Sequence, residues 1–96
     1  MCGFVGYIGV SAPEINLIKS MTESLDHRGP DSNNIWLESN DKIALGHTRL
    51  SILDLSKNGS QPMESKSKRY VITFNGEIYN HQKLRHNLKN KNYSWR

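Results

Sequence analysis

The rhythm of apolar and polar positions changes several times along the chain, and each change predicts an element. Phe4-Val5-Gly6-Tyr7-Ile8-Gly9 is a short apolar and aromatic run with interspersed glycines, which predicts a buried strand. Ser11-Ala12-Pro13-Glu14 has the spacing of a capping box, with proline in the first turn, where a missing N–H is harmless. Ile15, Ile18, Met21 and Leu25 follow at three- and four-residue steps, so a helix is predicted from about 12 to 26 with one apolar face. His27-Arg28-Gly29-Pro30-Asp31-Ser32 ends it, because Gly29 and Pro30 interrupt helix and strand alike.

Beyond this break the period shortens to that of strands. Asn33 to Glu38 carries Ile35, Trp36 and Leu37, Asn40-Asp41 makes a turn, and Lys42 to Thr48 returns, predicting a hairpin. Arg49 to Leu55 is extended or looped, and Ser56 to Glu64 is a loop by composition. Tyr70 to Phe74 is rich in β-branched and aromatic residues and predicts another strand. After Asn75-Gly76-Glu77, a second helix is expected from Asn80 to about Asn90, with Leu84 and Leu88 four apart. The order β-α-β-β-(β)-β-α is an α+β arrangement without repeats or linkers. Four short strands and two helices leave one sheet face uncovered, and Tyr93-Ser94-Trp95-Arg96 has no cap or tail composition. The expectation is therefore residues 1–96 as the first portion of a longer domain.

Composition narrows the function classes. Ninety-six residues make at most one small domain, and a mean hydropathy of −0.68 is polar for a self-sufficient core. The net charge is +4, and the eight Lys/Arg from Lys66 onward face the single acid Glu77. Such a segment binds phosphates or acidic surfaces, or is simply a solvated helix face; no nucleic-acid motif accompanies it. The one cysteine, Cys2, excludes an internal disulfide, and the four histidines have no metal-ligand spacing, so no metal site is expected. No segment has the length or pattern of a membrane span or signal peptide, which reads as a cytoplasmic protein.

The candidate chemistry starts at Cys2. A lone cysteine is more often an inert core residue than a nucleophile. Here, however, removal of Met1 would put thiol and α-amine on one residue, and the amine, titrating at about 7.7–8.0, is suited to take the thiol proton. An attacked carbonyl needs donors for its developing oxyanion. Asn75-Gly76 offers a side-chain N–H and an approachable backbone N–H, although Asn-Gly is equally a favoured hairpin turn. Arg49 and Glu77 suit the α-carboxylate and α-ammonium of an amino acid by type, and by themselves are equally surface ion-pair residues.

Met1-Cys2-Gly3-Phe4-Val5-Gly6 resembles the opening of class II glutamine amidotransferases. His27 to Asp31, Gly46 to Asp54, Gln61-Pro62-Met63 and Phe74 to Asn80 then follow in the order and spacing of the asparagine-synthetase branch. The words RGPDS, HTRLSILDLS and NGEIYNH separate it from the hexosamine and purine-pathway branches. The resemblance implies part of a four-layer αββα N-terminal-nucleophile fold, incomplete at its C-terminus. It implies Cys2 as the nucleophile that forms a γ-glutamyl thioester, and Asn75 and Gly76 as the oxyanion hole. Arg49 would bind the glutamine α-carboxylate, the backbone of Leu50 to Leu53 (Leu50, Ile52 and Leu53 among them) would line the pocket, and Glu77 would help bind the α-ammonium. Whether the Arg28 to Asp31 loop meets substrate is left open.

The implied activity is hydrolysis of glutamine to glutamate and ammonia, as the glutaminase part of a glutamine-dependent asparagine synthase. Sugar-amidating enzymes of surface-polysaccharide pathways share these words, so they stand as an alternative. The implied partners are glutamine, an acceptor-activating synthetase domain absent from this chain, and a second copy in a homodimer of the longer protein. This segment needs no cofactor; ATP and Mg belong to the synthetase domain, whose Ser-Gly-Gly-x-Asp-Ser loop is not in the chain. Two further readings are an inert truncated piece and a basic nucleic-acid module built on Lys83, Arg85, Lys89 and Lys91. The second explains none of the ordered motifs.

Overall fold

A computed structural model of the chain describes residues 1–52 and 55–91. Strands β1 (Gly3–Ile8), β2 (Ser32–Glu38) and β3 (Ile43–Arg49) form an antiparallel sheet in the order β1-β3-β2. The expected hairpin is present as β2–β3, closed by a turn in which Lys42 takes a positive φ of 56°. Helix α1 (Ile15–Glu23) packs across all three strands. The expected α+β character is met. A smaller sheet pairs β4 (Met63–Glu64) with β5 (Val71–Ile72), and helix α2 (His81–Leu88) follows.

Three expectations need correcting. β1 is not a buried strand but an edge, and its side chains alternate. Gly3 is buried, whereas Phe4 and Ile8 on the other face are 51 % and 83 % exposed. The capping box at Ser11 does not form. Glu14, placed at its third position by the sequence pattern, is itself the N-cap and makes no side-chain capping bond, so the helix runs over 15–23 rather than 12–26. Its start is delayed because Gly9 N–H still bonds the Lys42 carbonyl and Tyr7 Oη the Ser11 carbonyl, so the chain is tied to the sheet until it crosses to the helix. Third, Tyr70–Phe74 pairs over only two residues, with a segment expected to be loop, and the Gln61–Pro62 peptide before it is cis.

The core lies between α1 and β3. Ile18 and Ala44 are fully buried there, as are the polar Thr22 and Thr48, while His47 is buried on the opposite face of β3. Contact is close because β3 has no side chain at Gly46: a Cβ there would come within 2.0 Å of Thr22 Oγ1. Thr22 and Thr48 satisfy their hydroxyls internally, Thr22 on the Ile18 carbonyl and Thr48 on the carbonyls of Leu25 and Gly3. Since Gly46 faces α1, its neighbours Leu45 and His47 face the opposite side, in line with Trp36 and Asn34 of β2. The second sheet meets that side, where Trp36 Nε1 donates to Glu64 Oε1 at 2.8 Å.

Candidate active site

Both ends of the sheet's chemistry come from one place, where β1 begins and β3 finishes. Antiparallel pairing sets Gly3 beside Thr48, so Cys2 falls next to the chain leaving Arg49. The Cys2 thiol accepts from Leu50 N–H at 3.4 Å and lies 3.7 Å from the Leu50 carbonyl. Cys2 and the Arg49–Ile52 stretch border a cavity of about 410 Å³, with Asn75, Gly76 and Glu77 supplying another wall. Seven of the eight residues singled out in the sequence therefore line one cavity. The eighth, Leu53, lies outside the described residues. Met1 and Ser51 line it as well.

The loop after α1 holds the first wall. Gly29 packs so tightly on β3 that a Cβ would come within 2.6 Å of the Arg49 backbone nitrogen. Pro30 bridges to Arg49, and Asp31 N–H donates to the Arg49 carbonyl at 3.0 Å. That close approach brings two side chains to the site. Arg28 Nε donates to the Cys2 carbonyl at 3.1 Å, and Asp31 Oδ2 accepts from Ser51 N–H at 2.6 Å. Arg49 is 9 % exposed and donates through Nη1 to the Ser56 carbonyl at 2.8 Å. The sequence motif pointed to this loop but not to its task, because its two side-chain contacts reach across 26 and 20 residues.

The second wall is less tied. Phe74 N–H donates to Gln61 Oε1, while Asn75, Gly76 and Glu77 are exposed. Asn75-Gly76 is not a hairpin turn here: β5 has ended at Ile72, and the chain runs on to α2. Gly76 lies against the Phe74 ring, where a Cβ would come within 2.8 Å of Phe74 Cζ and the ring would have to shift. Behind this wall His47 is 1 % exposed, and neither ring nitrogen has a hydrogen-bond partner. Its pKa is lowered. Burial is the main cause, the Phe74 backbone opposes it from outside good hydrogen-bond geometry, and the Arg49 charge lowers it further.

A thiol, a buried guanidinium and a free amide side chain converging on one cavity suit nucleophilic attack on the acyl group of a ligand that carries a carboxylate. Among the described residues no cluster of side chains could hold a metal ion, and no helix is long and apolar enough to cross a membrane.

Comparison with known proteins defines the class. The family model for the glutamine amidotransferase domain matches residues 1–96, and the chain belongs to that family. It is 41 % identical to asparagine synthetase [glutamine-hydrolyzing] 1 of Bacillus subtilis (strain 168) over 99 % of this chain and 15 % of that protein. It is 43 % identical to a probable asparagine synthetase [glutamine-hydrolyzing] of Dictyostelium discoideum over 92 % of this chain and 16 % of that protein. Asparagine synthetase B [glutamine-hydrolyzing] of Escherichia coli (strain K12) is 40 % identical over 88 % of this chain and 15 % of that protein. The chain thus spans about one-sixth of the length of these relatives. No solved structure is significantly similar.

Proposed function

We propose that this chain is the nucleophile-bearing part of a glutaminase, and that it releases ammonia from glutamine for a glutamine-dependent asparagine synthase. The observation that carries this reading is the single cavity shared by Cys2, Arg49 and Asn75-Gly76. Once Met1 is removed, the Cys2 α-amine takes the thiol proton and the thiolate attacks the glutamine side-chain carbonyl carbon. Asn75 Nδ2–H and Gly76 N–H hold the resulting oxyanion. The tetrahedral adduct collapses, ammonia leaves with the proton from the Cys2 ammonium, and a γ-glutamyl thioester remains. Water, losing a proton to the same amine, attacks the thioester; glutamate departs and the thiol is restored.

Arg49 is assigned to the α-carboxylate in a planar fork, with the Leu50–Ile52 backbone beside it and Glu77 toward the α-ammonium. Arg28, on the Cys2 carbonyl, fixes the nucleophile's backbone; Asp31, on Ser51 N–H, fixes the pocket stretch. Three successive layers (α1, the three-stranded sheet and the β4–β5 segment on its far side) support membership of the four-layer αββα N-terminal-nucleophile fold. ATP and Mg are assigned to a synthetase domain, because the Ser-Gly-Gly-x-Asp-Ser motif of that domain does not occur in this sequence. The named relatives favour aspartate over a sugar acid as acceptor.

The test is intact mass after exposure to an electrophilic glutamine analogue, with Cys2→Ala as control. Loss of Met1 and one adduct that disappears in the control support the proposal. Retention of Met1 in the intact protein leaves the nucleophile without its base and overturns it. Conversion of aspartate to asparagine with glutamine and ATP tests the acceptor.

A further inference from the structure

Three buried side-chain polar atoms among the described residues have no hydrogen-bond partner: His47 Nδ1, His47 Nε2 and Thr73 Oγ1. Native structures rarely leave such atoms unpaired, and each instance calls for an explanation. These three are not scattered. Thr73 immediately precedes Phe74 and stands two residues before Asn75, and His47 lies against the Phe74 backbone. Phe74 N–H is already given to Gln61 Oε1, and only an acceptor favours a charged imidazole; the group facing the ring is therefore the Phe74 carbonyl. That carbonyl belongs to the peptide that ends on Asn75 nitrogen, so its orientation sets the direction in which Asn75 leaves the strand.

β3 contributes a second relation. His47 and Arg49 are two residues apart on one strand, and so lie on the same face of the sheet, away from α1. One strand thus bears both the guanidinium of the binding wall and the imidazole behind the oxyanion wall. His47 does not line the cavity, which removes it from the reacting atoms. Among the described residues, the oxyanion wall has only the Gln61 bond to locate it at Phe74. Catalytic contacts are often long in a ligand-free site and tighten when substrate binds.

We propose that His47 is a positioning residue of the oxyanion wall. Its imidazole, held by β3, donates to the Phe74 carbonyl in the glutamine-bound state and so orients the Asn75 and Gly76 donors toward Cys2. This role rests on the glutaminase reading above. The contact ties the oxyanion donors to the strand that binds substrate, so the two walls keep a constant separation during attack.

The test is steady-state glutaminase kinetics of the intact protein as wild type, His47→Leu and His47→Gln, with the melting temperature of each. His47→Leu keeps the volume and removes the donor: kcat falls about 10- to 100-fold, as for a small misplacement of reacting groups, while KM for glutamine stays within about twofold. His47→Gln keeps an N–H and recovers at least about tenfold of any larger loss. A merely structural histidine would change melting temperature and leave kcat per folded molecule unaltered. Should His47→Leu lose its cooperative transition, His47→Met, which fills the space more flexibly, is read in its place. Wild-type kcat in the donor-free variant, a loss confined to KM, or no recovery in His47→Gln each overturns the inference. An active wild type beside an unaffected His47→Leu removes the inference alone; a wild type that releases no ammonia from glutamine removes the functional reading and this inference with it.

Discussion

The two walls of the cavity are built on different principles. The Arg49–Ile52 wall continues a central strand and is held from the side by Gly29, Pro30 and Asp31, with Arg49 buried and bonded to the Ser56 carbonyl. The Thr73–Glu77 wall leaves a two-residue strand pairing, is exposed over Asn75–Glu77, and is bonded at Phe74 to the Gln61 side chain, with the buried His47 behind it. A rigid wall suits recognition, because a guanidinium that grips a carboxylate must not wander. An open wall leaves the Asn75 donors unspent until an oxyanion appears. Binding and catalysis are thereby separable by mutation.

The sharpest break of this comparison is Asn75→Ala. Removing one oxyanion donor is expected to cost kcat about 100- to 1,000-fold, with KM little changed. Because the side chain is exposed, melting temperature should move little; a large fall would show that this wall is structural after all.

Arg49→Lys tests the opposite wall. Lysine keeps the charge and loses the planar fork, so KM for glutamine should rise about tenfold or more, with kcat changed less. The melting temperature should fall as well, since the bond from Nη1 to the Ser56 carbonyl is lost. A loss in kcat alone would dissolve the division of labour.

Asp31→Ala is expected to act more weakly and on the same wall. The Ser51 N–H loses a charge-assisted bond, worth at most about 1.5 kcal/mol because it is exposed, and the loosened Leu50–Ile52 stretch should raise KM several-fold. Unchanged KM would mean that the loop does not govern the pocket.

The smallest effect is on stability against pH. The folded-state pKa of His47 lies below the ordinary 6.5, so between the two values the unfolded chain binds more protons than the folded one. The stability conferred by a neutral His47 is complete above about pH 6.5 and is lost as pH falls through the lowered value. Melting temperature of the intact protein between pH 7.5 and pH 5 should decline, and His47→Gln should decline less. Parallel declines would show that the imidazole does not stay neutral behind the wall.

Much of the plan was legible along the chain. The β2–β3 hairpin followed from alternation around Asn40-Asp41, and the apolar steps at Ile15, Ile18 and Met21 marked α1. Cys2, Arg49, Asn75, Gly76 and Glu77 could be selected by chemical type and motif order, and they line one cavity. The Ser11 capping box was legible but misleading, since local spacing cannot register that Gly9 and Ser11 are still tied to the sheet.

What residue order alone determined was the list of reactive groups and the short-range elements that carry them, because periodicity and side-chain chemistry are local properties. Only the tertiary structure decided that β3 takes the centre of the sheet and leaves β1 as an edge. It also decided that Arg28 reaches the Cys2 carbonyl, that Asp31 holds Ser51, and that His47 is sealed behind Phe74. Each of those facts joins residues twenty or more positions apart. Such pairings are set by which faces bury one another, and no single stretch of sequence contains that information.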